Sequence, residues 1–122
     1  MTNKDAAISF LTLVTDGKIR EAYDHHVSPN LRHHNPYNKG DANSLMTGME
    51  EADKQFPSKA FRVQRAIQEG DFVAVHSHLT LKPRELELAV VHLFHFQAGR
   101  IVEFWDIAQQ IPKESLNENG MF

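Results

Sequence analysis

Between Phe61 and Gln110 the chain runs through four largely apolar segments, "FRVQRAIQEG", "DFVAVHSHLTLK", "ELELAVVHLFHFQ" and "RIVEFWDIAQQ". They are parted only by Gly70-Asp71, Lys82-Pro83-Arg84-Glu85 and Ala98-Gly99, connections of hairpin type, so they read as successive antiparallel strands. The last two are apolar on both sides of the ribbon, with Val91, Leu93, Trp105 and Ile107 on one face and Phe94, Phe96 and Phe104 on the other. Both faces of such a ribbon need cover.

Upstream segments supply cover for one of them. In "TNKDAAISFLTLVTDGK", Thr2 and Asp5 have the spacing of a capping box, and Ile8, Leu11 and Val14 recur at helical period before Gly17 stops the run. "KIREAYDHHVSPN" gathers Ile19, Ala22, Tyr23 and His26 on one side and predicts a shorter helix ending at Ser28-Pro29. "LRHHNPYNKGD" has loop composition, and "ANSLMTGMEEADKQF" predicts a third helix through Leu45, Met49 and Ala52. Helices in front and a hairpin sheet behind give an α+β domain with helices over one face of a curved sheet. Residues 1–122 are expected to form a single domain, with 111–122 an irregular tail.

The charge balance of 13 Lys and Arg against 16 Asp and Glu, without a basic run, argues against a nucleic-acid partner. The absence of cysteine excludes a disulfide scaffold, a zinc ribbon and thiol catalysis. Nothing at the N-terminus has the pattern of a signal peptide, so the cytoplasm is the expected location and no membrane partner is expected. Eight histidines stand out, because histidine protonation is easily set near neutral pH. His25 and His26, near a helix end, are read as solvated.

The question the sequence raises is the carboxylate of Asp106, set between Trp105 and Ile107. A buried charge needs a partner or neutralises. A three-residue hairpin loop, Gln97-Ala98-Gly99, pairs Phe96 with Arg100, puts His92 opposite Phe104 and makes Asp106 its diagonal neighbour on the same face. A two-residue loop would bring Trp105 to His92 and flip the assignment.

The order of helices, "HHNP" and sheet, together with "EGDFVAVHSH", "AGRIVEFWDIAQQIP" and "NENGMF", resembles the SnoaL-like polyketide cyclases of the nuclear-transport-factor-2-like superfamily, and within them a subgroup of predicted aldol-condensation enzymes. The resemblance implies a cystatin-like cone, its bent sheet and helices enclosing a pocket, in a homodimer packed through the sheet. The superfamily also contains ketosteroid isomerase. Matched to that enzyme, His92 falls at the acid of the oxyanion hole and Asn35 near the general-base aspartate. Neither carboxylate is present here, so steroid isomerisation is not implied. Many cyclase-like relatives carry an acid four positions after the tryptophan, where this chain has Gln109, which leaves Asp106 as the carboxylate on the expected pocket face of the last strand.

The chemistry expected of such a site is proton abstraction next to a carbonyl, with stabilisation of the enolate and no cofactor or metal. Asp106 is expected to be the base, its proton affinity raised by an apolar pocket, with His92 as donor to the oxyanion. His34, at the pocket mouth, is expected to protonate the product oxygen or hold a carbonyl beside Asn35. Phe94, Phe104 and Tyr37 are expected to wall a small apolar carbonyl ligand, with His76 and His78 also given to ligand binding, on the face of Phe72 and Ala74. Structural readings stand beside these: Asp106 as a carboxylate held by neighbouring donors, Trp105 as an apolar anchor, His76 and His78 as satisfied core or rim residues. Two further classes stay open. His76, His78 and His92 offer three nitrogens to a metal, and the same fold can serve as a non-catalytic ligand-binding or dimerisation module.

Overall fold

The Thr2 hydroxyl accepts from the Asp5 backbone N–H while the Asp5 carboxylate accepts from the Thr2 N–H, and this reciprocal cap starts the first helix. The computed structural model describes all 122 residues. Its helices are α1 (Asn3–Thr15), α2 (Ile19–His26) and α3 (Ala42–Gln55), and its strands are β1 (Val27–His33), β2 (Ser58–Glu69), β3 (Phe72–Lys82), β4 (Leu86–Gln97) and β5 (Arg100–Gln110). Asp41 caps α3 by accepting from the Ser44 N–H at 2.9 Å. The α+β class, the three helices and the four hairpin strands match the expectation.

One sheet of order β1-β5-β4-β3-β2 carries the fold. All pairs are antiparallel except β1 with β5, which is parallel. The sequence reading ended α2 at Ser28-Pro29 and ran into a loop, so β1 is a correction. Proline cannot donate to a ladder, and here it sits in an edge strand whose register jumps between Val27 and Arg32. Extra residues at Gln64 in β2 and Val102 in β5 interrupt the β2–β3 and β4–β5 ladders, while the β3–β4 ladder is continuous. Such bulges bend strands, and the helices fill the hollow.

Phe10 and Leu11 of α1, Ile19 and Tyr23 of α2, and Leu45 of α3 pack there on Val73, Val75, Phe94, Phe96, Ile101 and Phe104. Phe10 stands edge-on to both Phe94 and Phe104, with centroids 5.9 and 6.0 Å away, the preferred geometry for aromatic pairs. His26 belongs to this side as well. It is 6% exposed and its Nε2 lies 3.0 Å from Ser9 Oγ, so its expected solvation is overturned by the packing of α2 on α1. Burial lowers its proton affinity below the ordinary 6.5, helped by the nearby His25 and Arg100.

The β4–β5 hairpin departs from expectation in an instructive way. Its turn has two residues, Ala98 and Gly99, with φ of 51° and 78°, and Gln97 pairs with Arg100. That alone would turn Trp105 to the side of His92. The bulge at Val102 restores the parity, so Phe94 pairs with Phe104 and His92 stands directly opposite Asp106.

Two measurements test this account. Ala98 holds a left-handed conformation that costs an alanine roughly 1 kcal/mol, so Ala98→Asn is expected to raise the free energy of urea unfolding by up to about 1 kcal/mol, whereas a three-residue turn would give no gain. The neutral imidazole of His26 contributes stability that is present above its unfolded value of 6.5 and lost as pH falls through its lower folded value. Melting temperature is therefore expected to drop between about pH 7 and about pH 5, and to drop less in His26→Gln.

Candidate active site

The site is built where β1, β5 and β4 lie side by side. The parallel pairing sets His33 beside Phe104, and the His34 N–H donates to the Phe104 carbonyl at 2.9 Å. Successive residues of a strand point to opposite faces. His33 therefore turns into the concave side, where it is 6% exposed, and His34 turns out, where its ring stacks on Trp105 at 5.0 Å and its Nε2 meets Glu103 at 2.7 Å. The expected place of His34 at the pocket mouth is corrected by this alternation.

His33 instead organises the loop that follows. The Asn35 N–H donates to His33 Nδ1 at 3.1 Å, which leaves the proton on Nε2 for the Lys39 carbonyl. Asn35 Oδ1 then accepts from the Tyr37 N–H at 2.9 Å and from Asn38 Nδ2 at 3.3 Å. Gly48 of α3 lets this network close, because a Cβ there would collide with the Asn38 amide. With its oxygen fixed, Asn35 directs Nδ2 at Asp106 and donates to Oδ2 at 3.0 Å.

Asp106 is thus held from two sides. His92 Nε2 lies 3.4 Å from Oδ1, and the His92 ring is stacked on Phe104 at 5.5 Å with 6° between planes. The two side chains keep 11% and 25% of their surface, and both line a cavity of about 930 Å³ between α3, the Asn35 loop and the sheet. Phe61, Leu79, Leu81 and Phe104 form its apolar floor, with Leu45 and Met49 across from them. Burial raises the proton affinity of Asp106, but the hydrogen bond and field of His92, followed by the Asn35 bond and the field of His33, outweigh it. The net direction is below the ordinary 3.8, opposite to the raised value expected from an apolar pocket. At neutral pH the group is a carboxylate.

The remaining expected site residues divide. Asn35 and Phe104 line the cavity, and Tyr37 stands at its rim with 90% of its surface exposed. Phe94 has no exposed surface and serves the aromatic core instead of the cavity wall. His76 and His78 share the outer face with Phe72 and Ala74, as their alternation indicated, but that face is the convex one. Val75, not His76, stands opposite His92. His76 pairs there with Arg65, His78 meets Glu87 at 2.9 Å, and both rings lie against Phe122. Their ligand-binding assignment is corrected accordingly, and the three-histidine arrangement with His92 is not formed, since the sheet lies between. His33 is the position at the candidate site that the sequence reading missed. Its signal was the paired histidines of "HHNP", of which a strand can turn only one inward.

A family model described as the SnoaL-like domain matches residues 7–104. Among solved structures, AclR of Streptomyces galilaeus, a candidate hydroxylase, is 21% identical, with 88% of each chain covered and a TM-score of 0.75. IdmH of Streptomyces antibioticus, a candidate polyketide cyclase, is 19% identical over 89% of this chain and 93% of its own, with a TM-score of 0.76. An uncharacterised cystatin-fold protein from Novosphingobium aromaticivorans is 16% identical over 88% of this chain and 98% of its own, again at 0.76. No sequence among curated proteins matches the chain. At such identities the structures speak for the fold, and the family model speaks for descent: the chain belongs to the SnoaL-like family.

Proposed function

We propose that this protein is a cofactor-free acid–base catalyst of the cyclase type, acting on a small, largely apolar carbonyl compound. The observation that carries the reading is the Asp106 carboxylate, held between His92 and Asn35 at the wall of an apolar cavity. The carboxylate takes a proton from the carbon next to the carbonyl, and the electron pair of that bond becomes the double bond of the enolate. The charge that grows on oxygen meets the Nε2–H of His92 and the second N–H of the Asn35 amide. The enolate carbon then attacks a second carbonyl of the same molecule, and the proton held by Asp106 passes to the new alkoxide. A carboxylate with lowered proton affinity is a weak base, so the step depends on stabilisation of the enolate oxygen more than on base strength.

The same contacts favour a second reading. Asn35 donates to Asp106 and His92 Nε2 lies 3.4 Å from it, as partners would around a structural carboxylate in a pocket that only binds. The convex face supports association of two copies through the sheet, since it bares Ile67, Phe72 and Ile107, at 62, 47 and 56% exposure, around Trp105.

Exchange of the α-hydrogens of β-tetralone into heavy water separates catalyst from binder. Asp106→Asn keeps shape and removes the basic oxygen, so exchange is expected to slow roughly 10²–10⁴-fold with an unchanged melt. Exchange that is unaltered in the folded variant, or a loss that merely follows about 1–3 kcal/mol of destabilisation, would support the binding module. For the association, sedimentation is expected to show a dimer at micromolar concentration and a folded monomer for Ile107→Arg. A wild-type monomer with Trp105 open to a quencher would defeat it.

A further inference from the structure

Two polar atoms enclosed on the concave side have no hydrogen-bond partner within the protein, Ser77 Oγ and His92 Nδ1. Ser77 has no exposed surface. Buried polar groups are nearly always bonded, so two orphans close together call for a common explanation. The register makes them neighbours. Val75 stands opposite His92 and Ser77 opposite Val90, which places Ser77 diagonally across from His92 on the same face of β3 and β4.

Their chemistry is complementary. Nε2 of His92 faces Asp106 Oδ1 at 3.4 Å, and a carboxylate can only accept, so in the neutral ring the proton belongs on Nε2. Nδ1 then needs a donor. Around the ring stand Phe61 and Phe104, which offer none, and Asp106, which is occupied on the other edge. A serine hydroxyl is a donor of the right size within reach of a diagonal cross-strand contact.

We infer that Ser77 positions His92: its hydroxyl donates to Nδ1, a rotation about the Ser77 Cα–Cβ bond or one bridging water closing the gap, and this holds the ring with Nε2–H turned to Asp106 and the cavity. Ser77 does not line the cavity and meets no ligand, so it acts through His92 alone. The inference rests on the reading of His92 as donor to the enolate oxygen. Partners on the far nitrogen of a functional histidine commonly set its tautomer and the aim of its ring.

The test is nitrogen NMR of the histidine rings in ¹⁵N-labelled protein, recorded over a pH series up to the plateau at which the ring resonances stop moving. His92 is expected to show a proton on Nε2 and an Nδ1 resonance displaced by hydrogen bonding. In Ser77→Ala that displacement is expected to vanish and β-tetralone exchange to fall about tenfold, in kcat more than in KM. Ser77→Thr, which keeps the hydroxyl, is expected to restore both, and Ser77→Cys, a weak donor of similar size, to fall between and to serve if the alanine variant does not fold. An Nδ1 resonance identical in the wild type and a folded Ser77→Ala protein, or a wild-type ring protonated on Nδ1, overturns the inference. A Ser77-dependent resonance in a protein whose Asp106→Asn variant keeps full exchange leaves the hydrogen bond standing and removes the catalytic reading.

Discussion

The pairing of β4 with β5 is the constraint on which the site depends. Side chains alternate along a strand, so each one-residue change of register exchanges the two faces. Here two such changes occur within a few residues, the short turn at Ala98-Gly99 and the extra residue at Val102, and they cancel. The result sends His92, Phe94, Phe104 and Asp106 to the helices, and Trp105 and Ile107 outward. Had only one occurred, an indole would stand at the cavity and a carboxylate on the outer surface.

Once Asp106 faces inward, the surroundings must meet its charge. Removing the partner of a buried carboxylate typically costs about 3–5 kcal/mol, comparable to a large share of a small domain's stability. The Asn35 loop answers this demand through a chain of local bonds that begins at His33 and ends on Asp106 Oδ2. Edge strand β1 gives Val27 and Leu31 to the core and delivers His33 to its place beside Phe104, so one strand serves both packing and site. Because these donors outweigh desolvation, Asp106 is an ionised and oriented acceptor.

The two faces of the sheet have separate tasks. On the concave side the aromatic core of Phe10, Phe94 and Phe104 is closely packed, and the cavity begins where it ends. On the convex side histidines are paired or stacked: His34 with Glu103 and Trp105, His95 on Phe72, His78 with Glu87 and Phe122. Of the eight histidines, His92 lines the cavity and His33 braces the Asn35 loop beside it, so an enrichment that invites a metal site is dispersed by the sheet itself.

Local patterns carry what the sequence determined alone: the Thr2 capping box, the helical periods, the four hairpin strands, the α+β class and the family resemblance, all written within short windows. The common face of His92 and Asp106 was also legible, although through a three-residue turn that the structure replaces with a two-residue turn and a bulge. Tertiary structure decided the rest. Strand β1 is hidden in sequence by Pro29 and exists because β5 offers it an edge. The choice of His33 over His34, the convex placement of His76 and His78, and the recruitment of Asn35 to Asp106 follow from registers between segments far apart in the chain. Periodicity tells which residues share a face, but only the cross-strand hydrogen bonds tell which face that is, and the proton affinity of Asp106 depends on neighbours that those bonds bring together.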